Sequence, residues 1–148
     1  MTHAIETREG FAVHGLRVRA SNADPSPIGA VWGRVMGESL AERVPARLDD
    51  VLVAIYCAYE GDHTDPYTFV LGWRVPADAD APEGLVKVQV EAGPYASFVA
   101  EGEPPSSIMK AWGAIWEAPI ERAFVTDYEL HDPANPTRTM IHVGVRAP

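Results

Sequence analysis

Cysteine occurs once in the 148 residues, at Cys57, which excludes an internal disulfide. It lies in the apolar run Val-Leu-Val-Ala-Ile-Tyr-Cys-Ala-Tyr, where a buried, inert thiol is expected. Long apolar runs are missing as well. No stretch approaches the roughly 20 apolar residues of a membrane span. The opening Met-Thr-His-Ala-Ile-Glu-Thr-Arg-Glu-Gly-Phe has no apolar segment of signal-peptide length, so a cytoplasmic protein without membrane contact is expected. Basic residues are scarce: 12 Lys and Arg against 21 Asp and Glu give a net charge of -9. Scattered as they are, they argue against direct nucleic-acid binding, and the negative field favours cations. Also absent are glycine loops of the Walker or dinucleotide type. His3, His14, His63, His131 and His142 contain no helical pair with metal-ligand spacing. No metal and no cofactor are expected. Ser106 and Ser107 open a helix and read as caps rather than nucleophiles, so no catalytic residue is assigned.

What is present suffices for one core. Hydrophobic residues make up 47% of the chain, consistent with a single domain over residues 1–148. Residues 11–20 alternate as a first strand, broken or bulged near Gly15. Helical spacing of Ile28, Val31, Trp32, Val35 and Met36 predicts a helix over 27–43, with Ser26 and Pro27 at its start. Strands follow at 51–60 and 66–75, joined by Gly-Asp-His-Thr-Asp as a hairpin. After a Pro- and Asp-rich linker at 76–84, residues 85–102 read as a strand interrupted at Gly93-Pro94. Proline there predicts a bulge or a switch between sheet edges. A second helix is expected over 105–118, with Ile108, Trp112, Ile115 and Trp116 on one face. Two strands joined by Pro-Ala-Asn-Pro end the chain. The order strand, helix, strand, strand thus occurs twice, and Ala-Val-Trp-Gly-Arg-Val echoes Lys-Ala-Trp-Gly-Ala-Ile-Trp. A duplicated βαββ unit is expected, with halves at 11–75 and 85–146.

Phe-Val-Thr-Asp-Tyr-Glu-Leu-His, residues 124–131, has the period-two pattern of a strand with two carboxylates inside it. One reading is a wet sheet face. The other is that Glu129 awaits a positively charged ligand. Trp32, Tyr56, Tyr59, Phe69, Trp73, Tyr95, Phe98, Trp112, Trp116 and Tyr128 are spread over the expected elements. Most belong in a core. Yet aromatic rings with one carboxylate are what a lipophilic cation needs.

Ile-Gly-Ala-Val-Trp-Gly-Arg-Val, residues 54–75, Pro-Glu-Gly-Leu-Val-Lys-Val-Gln-Val and its continuation to Gly102, Ile-Met-Lys-Ala-Trp-Gly-Ala-Ile-Trp-Glu and Phe-Val-Thr-Asp-Tyr-Glu-Leu follow one another in this order. Together they resemble the GyrI-like effector-binding domain, the drug-sensing part of bacterial transcription activators. The similarity is greatest to the stand-alone branch known from integron gene cassettes. It implies an α+β fold of two βαββ units related by pseudo-twofold symmetry, an antiparallel sheet and two main helices bounding a ligand cleft. It implies that Glu129 is the acidic ligand-binding residue, with Trp32, Tyr59, Tyr95 and Trp112 as aromatic walls. Trp112 and at least one of the other three should border a shared cavity, with Trp116 the alternative to Trp112. Glu129 should face the cleft while Asp127 lies nearer solvent. The family's tyrosine two residues after the glutamate is His131 here. No helix-turn-helix segment precedes Phe11, so the chain is not expected to be the DNA-binding half of an activator. The implied function is binding of amphipathic, cationic small molecules, to sequester them or report them to a separate regulatory protein. The alternatives are hydrolysis of strained electrophilic toxins and a module acting on a partner protein such as gyrase.

Overall fold

The computed structural model describes residues 3–61 and 65–146; His63 and the middle of its link lie outside the described residues. In chain order the elements are β1 (Ala4–Arg8), β2 (Phe11–Ala20), α1 (Ser26–Gly37), a 3-10 turn (Leu40–Arg43), β3 (Leu52–Cys57), β4 (Tyr67–Val75), β5 (Val86–Val90), β6 (Gly93–Glu101), α2 (Ser106–Glu117), β7 (Arg122–His131) and β8 (Arg138–Val145). All strand pairings are antiparallel. The fold is α+β. The sheet has eight strands in the order β1-β6-β8-β7-β3-β4-β2-β5.

That order reads symmetrically outward from the central β7–β3 pair. On one side lie β3, β4 and β2, the strands of the first βαββ unit; on the other lie β7, β8 and β6, those of the second. Each unit is then extended by a strand from the other half. β1 precedes the first unit yet pairs with β6, and β5 precedes the second yet pairs with β2. The switch between edges expected near Gly93-Pro94 is therefore real. β1 carries no apolar pattern because its residues are mostly exposed, and nothing in the sequence marked it as a strand.

These exchanged strands fix the shape of the sheet. β1 lies first and β2 seventh across the sheet. Six strand spacings on a flat sheet would span about 29 Å. The link from Arg8 to Phe11 can cover at most about 11 Å, so the sheet curls until its two ends approach. The β5–β6 link imposes the same condition. At Gly10 a Cβ would sit 2.5 Å from the Val90 carbonyl oxygen, so the two links pass in contact and only glycine fits.

Strand alternation then divides the interior. One sheet face packs Leu16, Phe69, Leu71 and Trp73 against Val31 and Val35 of α1, and Phe98, Ile141 and Val143 against Ala111 and Ile115 of α2. The other face, inside the curl, gathers Val13, Val53, Ile55, Val70, Val90, Tyr95 and Tyr128. Three expectations need correction. The first helix stops at Gly37 rather than running to residue 43: Ser39 adopts a left-handed φ of 49°, and the following turn swings Leu40 into the core while Met36 stays outside. Neither helix has a side-chain cap, so Ser106 does not cap α2; a proline stands at the N-cap of each. Cys57 is only half-buried, and burial raises its thiol pKa.

Candidate functional site

α1 packs over β2 and β4, α2 packs over β6, and a cleft opens between the helices above the central strands. Its volume is about 300 Å³, at the lower end of ligand pockets. Ile28 of α1 and Ile108, Met109, Trp112 and Trp116 of α2 form the rims. Tyr56, Tyr59, Tyr67 and Arg122 form the floor. Tyr56 and Tyr59 are three residues apart and would point to opposite faces of a regular strand. Ala58, with φ 50°, turns the chain so that both rings reach the helix side.

Two carboxylates lie under this floor. Glu129 is 2% exposed and accepts three hydrogen bonds: from the Tyr56 hydroxyl at 2.9 Å, from Trp112 Nε1–H at 2.6 Å and from His131 Nε2 at 2.7 Å. Two of these donors line the cleft, so the carboxylate stands directly behind its aromatic wall. Burial raises the Tyr56 pKa well above the ordinary phenol value, with the Glu129 charge adding to it, and the hydroxyl remains a donor at physiological pH. Among the described residues there is no cluster of side chains suited to a metal.

Asp127 does not lie nearer solvent, as strand position suggested; it is completely buried. It receives Arg122 Nη2 at 2.7 Å, the Tyr59 hydroxyl at 2.5 Å and the Gly144 N–H at 2.9 Å. Burial raises its proton affinity, and the Arg122 charge and these hydrogen bonds oppose that. Residues 122 and 127 are an odd number apart, so a regular strand would separate them across the sheet. A bulge in β7 between Arg122 and Asp127, with Phe124 at φ 53°, brings both to the helix side. The Arg122 guanidinium then lies 4.4 Å from the centre of the Phe124 ring, 5.7 Å from Trp112 and 6.0 Å from Tyr59. Nε and Nη1 are buried without a hydrogen-bond partner.

Of the residues singled out from the sequence, Trp112 and Tyr59 share the cleft, and Glu129 lies behind it. Trp116 also contributes, although it is 46% exposed. Trp32 lies outside the lining; its ring packs edge-on against His131 at 5.0 Å and so braces a Glu129 partner. Tyr95 is not in the cleft. Ala96, Phe98 and Ala100 of β6 face α2, so alternation turns Tyr95 to the opposite face, against Tyr128. Sequence reasoning missed Tyr56 and Arg122 as site residues. Tyr56 was in phase with Leu52 and Ala54, a signal that could have found it. Arg122 had none, because a bulge leaves no mark on side-chain periodicity.

The family model described as integron-associated effector binding protein matches residues 4–142. Over 97% of its length the chain is similar to an integron cassette protein from the mobile metagenome of Vibrio cholerae, covering 95% of that chain with a TM-score of 0.77 and 28% identity. A structure of SAV2435 bound to tetraphenylphosphonium shares the fold, with a TM-score of 0.79 and 14% identity over 99% of this chain and 95% of that one. YobU of Bacillus subtilis (strain 168), whose name assigns it provisionally to transcriptional regulation, is 28% identical over 141 residues, 88% of each chain. No helix among the described residues is long and apolar enough to cross a membrane.

Proposed function

The chain belongs to the family of integron-associated effector binding proteins, and from that premise we propose that its cleft binds amphipathic aromatic compounds bearing a positive charge. It holds them without transforming them, either sequestering them or reporting them to a separate regulatory protein. One observation carries this reading: Tyr56 and Trp112 line the cleft and both donate to the buried Glu129. Their ring faces attract a cation, and the carboxylate behind them supplies the counter-charge where water is excluded. Tetraphenylphosphonium, held by a protein of the same fold, is a ligand of this chemistry.

The decisive comparison is Glu129→Gln, which keeps the shape and removes the charge. At an effective dielectric of about 20, a unit charge some 7 Å away contributes about 2 kcal/mol, roughly thirtyfold in affinity. In calorimetry at pH 8 the variant should bind N-methyl-4-phenylpyridinium about thirtyfold more weakly than wild type. The uncharged 4-phenylpyridine should change by less than about threefold. Equal losses for both compounds, or none for either, would show that Glu129 serves only the architecture of the strand.

A further inference from the structure

Arg122 gives the cleft a second electrostatic feature, which Glu129 does not explain. Its side chain lines the cavity, is 7% exposed, and is held by Asp127 beneath and by Phe124, Trp112 and Tyr59 around it. It donates once to Asp127, while two of its nitrogens find no acceptor. The arginine is therefore poorly used as a hydrogen-bond hub and well placed as a fixed charge. Glu129, two residues from Asp127 on the same face, is bonded to tyrosine, tryptophan and histidine, with no arginine or lysine among its partners. Of the two carboxylates, Asp127 is paired with the guanidinium and Glu129 is not.

We propose that Arg122 restricts the cleft to singly charged aromatic cations, by cancelling Asp127 and so leaving Glu129 as the one carboxylate beside the cavity without a guanidinium partner. This rests on the cation-binding reading above and specifies the charge of the ligand. One positive group can sit against Tyr56 and Trp112 in front of Glu129. A second within the same small cavity loses its water and finds no free carboxylate. Asp127 cannot serve it, because its charge is already matched by Arg122. Arg122 is thus a specificity residue.

The test uses three compounds on one two-ring skeleton: 4-phenylpyridine, uncharged at pH 8; N-methyl-4-phenylpyridinium, with one charge; and 1,1′-dimethyl-4,4′-bipyridinium, with two. Calorimetry compares wild type, Arg122→Met and the double variant Arg122→Met/Asp127→Asn, with a thermal melt confirming that each is folded. Wild type should prefer the singly charged compound over the doubly charged one by at least about tenfold. Arg122→Met frees Asp127 and should move that ratio toward the doubly charged compound by about a hundredfold, the effect of one charge at close range. The double variant removes both members of the pair, and its preference for one charge should return. Wild type binding the two charged compounds equally, yet both above 4-phenylpyridine, overturns this inference and leaves the cation reading intact. An unchanged ratio in a folded Arg122→Met also overturns it. Equal wild-type affinity for the charged and uncharged compounds overturns both.

Discussion

Asp127 and Glu129 are the same kind of group on the same face of one strand, and their partners give them opposite tasks. Glu129 is held by three donors, two of them part of the cleft wall. Asp127 neutralises the buried Arg122 and ties β7 to β8 through Gly144. The two residues should therefore separate in stability measurements. Asp127→Asn leaves a buried guanidinium without a counter-charge, which costs about 3–5 kcal/mol, a large part of the 5–15 kcal/mol typical of a domain. Glu129→Gln strands no cation and should cost under about 2 kcal/mol. Urea unfolding checks this: the midpoint for Asp127→Asn should fall well below that for Glu129→Gln. The reverse order would mean that the Arg122–Asp127 pair does not hold the bulge. Glu129 was singled out by the family resemblance, through the aromatic-then-glutamate pair Tyr128-Glu129. The sequence could not distinguish the neighbouring carboxylate, because Asp127's partner is brought round by the backbone of Phe124, whose positive φ is unusual for so bulky a residue.

At the scale of elements, legibility followed side-chain pattern and failed where the backbone acts without one. α2 was readable because Ile108, Trp112 and Ile115 repeat at helical spacing after a proline start. α1 ends at Gly37, short of residue 43, because a left-handed Ser39 turns Leu40 inward outside the helix, a backbone event that side-chain spacing does not show. β1 was invisible as a mostly exposed edge. Tyr95 was carried over as a wall from the family resemblance, and the alternation of β6 turns it to the face away from the helices. Glycine shows the same contrast between elements. At Gly113 in α2 and Gly33 in α1 an added Cβ meets nothing within 4 Å. Alanine there should stabilise by about 0.5–1 kcal/mol, raising the melting temperature by about 2–4 °C per kcal/mol. At Gly72, in β4 against β2, the added carbon would run into the His14 carbonyl. Gly72→Ala should lower the melting temperature by several degrees, because backbone within a paired ladder cannot move aside. Calorimetric scans of the three variants should show these opposite signs. A destabilised Gly113→Ala would mean that close approach also governs the helix faces.

For the whole molecule, the duplication was legible as a repeated element order, but the exchange of β1 and β5 between halves was not, since either strand could have stayed in its own half. The exchange makes closure depend on how β1 is attached, and that attachment is polar. Glu6 of β1 accepts from the Ser97 hydroxyl at 2.8 Å, and Ser97 Oγ lies 2.7 Å from Nδ1 of His142. Arg8 donates to the Tyr128 hydroxyl at 2.5 Å. His142 is 2% exposed. Burial, with the Arg8 charge nearby, pushes its pKa down from 6.5 to about 4. The unfolded chain therefore takes up a proton between pH 6.5 and about 4 that the native protein refuses. The stabilisation from the neutral imidazole is complete above pH 6.5 and is lost as pH falls through this window, by up to about 1.4 kcal/mol per pH unit. Its sum is on the order of 2 kcal/mol. His142→Gln cannot take up that proton in either state. Urea unfolding of wild type between pH 7.5 and 5.0 should show stability falling with pH, and His142→Gln should show a shallower fall over the same range. Parallel curves would mean that the imidazole charges at no cost in the native fold, and that the junction of β1, β6 and β8 is open to water.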